Sequence, residues 1–156
     1  MVRPYSRTVL DIPTDIDHPI YGKVRSVWIP TLNVRVSKKH GPKTPFRIPV
    51  VVDSGSPYCM FRADVAAYLG INLDSCPQEP IGGIITGHGM TETAYFHPVQ
   101  LYIEMDWIIG VTAAFVKRLA VPGILGRDGF FDRFYVRFDH SVSPPTVEVT
   151  KIERPN

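Results

Sequence analysis

The stretch Ile48-Pro49-Val50-Val51-Val52-Asp53-Ser54-Gly55-Ser56 decides how the rest of the chain is interpreted. Its apolar first half predicts a strand, and Asp53-Ser54-Gly55 consists of residue types that favour turns. A strand that leads into such a turn holds the Asp53 carboxylate at a defined place, which suits general acid–base chemistry. The same three residues also fit an ordinary turn at the end of a strand, and this stretch by itself leaves both interpretations open.

Three further segments follow the Asp53 turn. Phe61–Leu69 combines good helix formers with apolar residues near helical spacing, and Gly70 stands where a helix should end. Residues 81–95 contain a glycine-rich apolar stretch, Ile81-Gly82-Gly83-Ile84-Ile85-Thr86-Gly87-His88-Gly89-Met90, which predicts a hairpin with a Gly-His-Gly tip. Near the C-terminus, Ile124-Leu125-Gly126-Arg127-Asp128 precedes two phenylalanines, and a short helix is expected over residues 126–131.

The order of these segments resembles the retropepsin-like aspartic peptidases over roughly residues 24–150. In that family, an apolar strand enters an Asp-Ser/Thr-Gly-Ser/Ala turn and a glycine-rich flap hairpin follows. An apolar-apolar-Gly-Arg-Asp/Asn segment that opens a short helix comes last. Each motif is weakly specific alone, whereas the three motifs in this order and spacing are fairly specific.

The resemblance implies an active site built from two chains. Asp53 would be the catalytic carboxylate, and Ser54, Gly55 and Ser56 would support its turn. Because each chain carries one such motif, the second carboxylate would come from an identical chain across a two-fold axis. The flap residues that would cover a bound peptide are Gly82, Gly83, Ile84, Ile85 and Gly87.

The C-terminal motif is expected to lie behind the catalytic turn as a structural support. The residues concerned are Ile124, Leu125, Gly126, Arg127 and Asp128. Many retropepsins carry an acid two residues after the turn glycine as a partner for the later arginine, and this chain has Pro57 there. Arg127 is therefore expected to pair with another nearby carboxylate or to cap carbonyls behind the turn. Asp128 competes as a second acid from the same chain, but a place in the first turn of a helix would give it a structural role.

The remaining sequence predicts many short strands. Leu32, Val34 and Val36 alternate with polar residues, which indicates a strand with one buried face, and similar patterns recur up to residue 152. We therefore expect an all-β fold, which the resemblance makes a retropepsin-like closed barrel with one or two short helices and a flap hairpin. Residues 1–22 are predicted to form an N-terminal arm and residues 23–156 the peptidase domain.

Charge and hydropathy argue against two classes of partner. The chain has 17 basic and 15 acidic residues, for a net charge of +2. Lys38, Lys39 and Lys43 fit a solvated turn, and no aromatic residues interleave them to stack on bases, so no nucleic-acid partner is expected. Because no apolar stretch reaches the ~18 residues needed to span a bilayer, we expect a soluble cytoplasmic protein without a membrane partner.

Cysteine and histidine placement predicts neither a metal nor a cofactor. Cys59 and Cys76 match no metal-binding spacing, and the five histidines are scattered along the chain. Cys59, just past the Asp53 turn, is interpreted as a small buried hydrophobe.

Two functions from different classes remain. The first is an aspartic endopeptidase, a homodimer that hydrolyses peptide or protein substrates through a water activated by two Asp53 carboxylates. The alternative is a catalytically weak or inactive retropepsin-like module for dimerisation or peptide binding.

Overall fold

A computed structural model describes residues 1–9, 16–18, 22–24, 26–82, 91–104 and 107–153 of the chain. Within these ranges, strands predominate, and regular helix is limited to α1 (Ala63–Tyr68) and a 3₁₀ helix (Leu73–Ser75). The strands are β1 (Val2–Pro4), β2 (Ser6–Val9), β3 (Ile16–His18), β4 (Gly22–Val24), β5 (Ser26–Ile29), β6 (Thr31–Lys38), β7 (Ile48–Val52), β8 (Met60–Arg62), β9 (Gln78–Ile81), β10 (Glu92–Ile103), β11 (Trp107–Val116), β12 (Gly123–Leu125), β13 (Phe134–Asp139) and β14 (Thr146–Lys151).

Six of these strands close into a barrel. The order is β11-β8-β12-β7-β6-β10, and β10 pairs back onto β11 to complete the circle. The pairs β7–β12 and β8–β11 are parallel, whereas β6–β7 and β10–β11 are antiparallel. The expected all-β barrel is confirmed.

The strand that carries Asp53 is set in the barrel by its buried face. In β6, Leu32, Val34 and Val36 are fully buried, as their alternation with polar residues predicts. Strand β7 pairs with it so that Val34 lies opposite Ile48, and Val50 is also fully buried. Because a one-residue slip would turn all these side chains to solvent, the register that places the end of β7 is strongly specified.

The predicted hairpin over residues 81–95 is present at its base. Strand β9 pairs antiparallel with the start of β10, with Ile81 opposite Glu92 and Gln78 opposite Tyr95. Strand β9 begins at Gln78, so the hairpin is longer than its apolar pattern indicated. Residues 83–90, which include the glycine-rich tip, lie outside the described residues.

One of the two predicted helices is confirmed and the other is wrong. Helix α1 forms, although Phe61 belongs to β8, and Gly70 ends it with a φ of 64°. The helix expected over residues 126–131 is instead a series of turns. Gly129 has a φ of 95°, outside the right-handed helical range, so a regular helix cannot run through this segment. The Asp128 amide donates to Pro57 O at 2.9 Å.

The first strand of the chain pairs with a strand near the C-terminus. Strand β1 pairs antiparallel with β14, which also pairs with β13, so the three form a separate sheet. The domain boundary at residue 22 stays a prediction. No helix in the described ranges is both long and apolar enough to cross a bilayer.

Candidate active site

The backbone of Asp53 is held between two neighbouring strands. Strand β12 runs parallel to β7, with Leu125 opposite Val52, and the Asp53 amide donates to Leu125 O at 3.1 Å. On the other side, the Val52 amide donates to Pro30 O at 2.9 Å. The chain therefore leaves the barrel at Asp53 from a fixed position.

The Asp53 carboxylate is ordered by its own turn. Its Oδ1 accepts a hydrogen bond from the Gly55 amide at 2.8 Å, and the Ser56 amide donates to Asp53 O at 3.2 Å. The Asp53 side chain is half-buried, whereas Ser54 and Gly55 are exposed. A carboxylate held in this way by a backbone amide has a defined direction, which general acid–base chemistry requires.

Two chain segments cross closely behind this turn. A Cβ atom on Gly126 would lie 2.1 Å from Tyr58 O and 2.9 Å from Ser56 O, so only glycine fits there. Ser56 is 2% exposed, and its hydroxyl donates to Tyr58 O at 2.9 Å. The Arg127 amide donates to Ser56 O at 2.9 Å. The Asp53 turn and the Ile124–Asp128 motif, far apart in sequence, are thus one hydrogen-bonded unit.

The partner expected for the Arg127 side chain is not found among the described residues, and that expectation stays a prediction. The guanidinium is exposed and forms no ion pair with any described residue. Pro57 supplies no carboxylate at the position where a partner was expected. Arg127 supports the turn through its backbone amide instead.

The Asp53 turn opens into a mostly apolar cleft of about 510 Å³. Asp53, Gly55 and Ser56 contribute its polar wall. The other lining residues are Ile29, Val51, Pro57, Gly82, Ala120, Val121 and Ile124. A concave apolar surface with one half-buried carboxylate is the usual form of a site that binds and acts on an organic ligand.

The cleft contains some of the sequence-predicted residues and not others. Asp53, Gly55, Ser56, Gly82 and Ile124 all line it. Gly83, Ile84, Ile85 and Gly87 lie outside the described residues, so their part in the site stays a prediction. Leu125 and Gly126 are buried behind the turn, where they support it.

Asp128 belongs to a different surface. It lines a separate cavity of about 400 Å³, together with Lys39, Pro98, Val99, Gln100, Gly110, Val111, Thr112, Gly129 and Arg133. Asp53 and Asp128 therefore do not line a common cavity within one chain. The competing arrangement, with both acids supplied by the same chain, gains no support from this geometry.

Three residues that line the cleft, and one residue beside it, were not predicted from the sequence. Ile29, Ala120 and Val121 line the cleft, but nothing in their local sequence connects them to Asp53. Tyr58 was not singled out either. Its hydroxyl lies 3.4 Å from each carboxylate oxygen of Glu79, and the negative charge of Glu79 raises the pKa of the phenol.

Cys59 is a buried neighbour of the turn, as expected. It is fully buried, and its Sγ donates to Asp128 O at 3.4 Å. Burial raises the pKa of this thiol to about 11. At neutral pH it is therefore a protonated thiol and a poor nucleophile.

The Cys59 thiol should make stability decrease at alkaline pH. The unfolded thiol loses its proton near pH 9 and the folded one near pH 11, so the unfolded state binds fewer protons in this window. The free energy of unfolding should fall there by on the order of 2 kcal/mol. Denaturant unfolding of wild type and Cys59→Ala between pH 8 and 11 isolates this contribution. An equally steep fall in Cys59→Ala would contradict the assignment.

In the described ranges, no three His, Cys, Asp or Glu side chains are grouped as ligands of a metal ion would be. No protein-family model matches the sequence, and no curated protein matches it either.

Proposed function

We propose that this protein is an aspartic endopeptidase whose active site forms when two copies of the chain bring their Asp53 carboxylates together. The observation that carries the proposal is the setting of Asp53. Its carboxylate is held by the Gly55 amide at 2.8 Å, on a turn locked by the crossing at Gly126, and it lines an apolar cleft. An ordinary strand-ending turn needs neither the crossing nor the cleft.

The chemistry needs two carboxylates. At a separation of ~3 Å, two like charges cannot both ionise, so the pair shares one proton. The ionised carboxylate takes a proton from a water molecule, whose oxygen attacks the peptide carbonyl carbon. The protonated carboxyl donates to the carbonyl oxygen and takes that proton back when the tetrahedral intermediate collapses. The other carboxyl passes the proton taken from the water to the leaving nitrogen as the C–N bond breaks. The sequence contains one Asp-Ser-Gly, so a second copy of the chain supplies the partner.

The cleft fits a peptide substrate. Ile29, Val51, Val121 and Ile124 offer apolar surface next to Asp53, and their burial under a bound chain would exclude water from the carboxylates. The exposed backbone at Gly55 and Gly82 can approach an extended peptide closely.

The proposal requires a dimer. Sedimentation velocity over a range of micromolar concentrations should give twice the chain mass of 17.5 kDa at the concentrations where peptides are cleaved. A protein that cleaves peptides while it is strictly monomeric would refute the two-chain site.

Hydrolysis is tested by digestion of a peptide library across about pH 3 to 9, with and without a pepstatin-type inhibitor. Activity should follow a bell with its optimum below neutrality, because both carboxyls are protonated at low pH and neither is at high pH. The inhibitor should abolish it. Activity that rises steadily to alkaline pH would contradict the mechanism. Peptide binding without cleavage at any pH would favour the alternative, a binding module.

A further inference from the structure

A small second hydrophobic cluster lies between the base of the β9–β10 hairpin and the cleft. Ile81 and Phe96 on the hairpin pack against it, together with Tyr58 and Val121 from the side of the catalytic turn. Ile124 is buried within the cluster, and Val121 and Ile124 also line the cleft that contains Asp53. The position of the hairpin base and the shape of the cleft are therefore linked by shared side chains.

The backbone of Tyr58 belongs to the catalytic turn. Its carbonyl oxygen accepts the Ser56 hydroxyl at 2.9 Å, and it lies where any side chain on Gly126 would clash. Tyr58 also forms a parallel bridge with Asp128. These contacts leave the Cα atom of Tyr58 little freedom to move relative to Asp53.

The side chain of Tyr58 reaches both strands of the hairpin base. Its ring meets the ring of Phe96, on β10, edge to face at a centroid distance of 5.0 Å. Its hydroxyl lies 3.4 Å from both Oε1 and Oε2 of Glu79, on β9. An edge-to-face aromatic pair at this distance is favourable, whereas a hydroxyl contact at 3.4 Å is long and weak.

We propose that Tyr58 is a positioning residue that holds the base of the β9–β10 hairpin at a fixed distance from Asp53 and so sets the width of the peptide-binding cleft. Gly82 directly follows β9 and lines the same cleft as Asp53 and Gly55, so a shift of the hairpin base moves part of the cleft wall. The role in peptide binding rests on the proposed function. The tether, by which we mean the contacts from Tyr58 to Phe96 and Glu79, does not depend on that function.

The tether is tested without substrate by hydrogen exchange in the free protein. Tyr58→Leu should speed exchange of the amides in residues 78–82 and 92–96 about tenfold, the size of effect that loss of an aromatic pair produces. Tyr58→Phe keeps the ring and should stay within about twofold of wild type. Phe96→Leu removes the same ring contact from the hairpin side and should repeat the Tyr58→Leu result.

The chain supplies a matched control for this experiment. Phe46 and Tyr68 form another edge-to-face pair with a centroid distance of 5.0 Å, and they line a cavity that includes neither Asp53 nor Gly82. Tyr68→Leu should leave exchange at residues 78–82 and 92–96 unchanged. If Tyr58→Leu and Phe96→Leu also leave it unchanged, or if Tyr68→Leu raises it equally, the tether is refuted.

Peptide kinetics test the effect on the cleft. Tyr58→Leu should raise KM about tenfold with kcat changed by less than about threefold, because Asp53 keeps its own turn contacts while one wall of the cleft shifts. Tyr58→Phe should restore the wild-type KM. A fall in kcat at unchanged KM would overturn the positioning role. If the wild-type protein cleaves no peptide, the proposed function fails, and hydrogen exchange still decides whether the tether exists.

Discussion

Asp53→Asn is expected to lower kcat by about 10³-fold or more, because an amide neither takes the proton of the attacking water nor shares a proton with a second carboxyl. The variant should keep its fold. Asparagine has nearly the same shape, and its side-chain oxygen can still accept the Gly55 amide that now bonds Asp53 Oδ1 at 2.8 Å. Single-turnover cleavage of a peptide, with circular dichroism and sedimentation on the same samples, measures activity, fold and assembly together.

Asp128→Asn is the matched control for that variant. Asp128 lines a separate cavity, so the same chemical change there should leave kcat within about twofold of wild type. If Asp53→Asn retains near-normal turnover, Asp53 is not the catalytic acid. If Asp128→Asn instead removes activity, the second acid comes from the same chain and the two-chain site is wrong.

Gly126→Ala is expected to cost at least about 3 kcal/mol of unfolding free energy, the upper range for an added methyl group that has nowhere to go. The new Cβ would lie 2.1 Å from Tyr58 O and 2.4 Å from Tyr58 C. These are backbone atoms, so relief requires the crossing of the two segments to open. Urea unfolding of purified protein measures the loss. Activity should fall with it, because the Asp53 turn rests on this crossing.

Gly110→Ala separates the crossing from the general effect of replacing a glycine. Gly110 lies in β11, and a Cβ there would meet no atom within 4 Å. The substitution should change the free energy of unfolding by less than about 0.5 kcal/mol. If Gly126→Ala and Gly110→Ala lower the free energy of unfolding equally, the crossing behind the turn is not tight.

Local sequence patterns predicted those parts of the fold that depend on residues close together in the chain. Leu32, Val34 and Val36 alternate because one face of β6 is buried, and that period is visible in the sequence. The resemblance placed the Ile124–Asp128 motif near the Asp53 turn, but the parallel pairing of β12 with β7 that brings them together was not predicted. The turns after Gly126 were misjudged as a helix, because the φ of 95° at Gly129 and the bridge between Asp128 and Tyr58 depend on the fold and leave no local pattern in the sequence.

The candidate site likewise contains residues that local sequence predicts and residues that only the fold brings together. Asp53 and its turn were identified because the reactive group and the residues that order it are adjacent in sequence. Ile29 ends β5 and Val121 precedes β12, so only the packing of distant segments brings them to the cleft, and no local period marks them. Tyr58 was missed because its importance lies in contacts to Glu79 and Phe96, which the fold brings together from two other strands.

The most direct test of the shared site is a mixing experiment with wild type and Asp53→Asn at constant total concentration. The two proteins are refolded together in equal amounts so that chains pair at random. If each active site needs Asp53 from both chains, only wild-type pairs are active, and activity should fall to about a quarter of the pure wild-type value. If one chain suffices, activity should fall to about half. We expect a residual activity near one quarter, and a value near one half would refute the two-chain site.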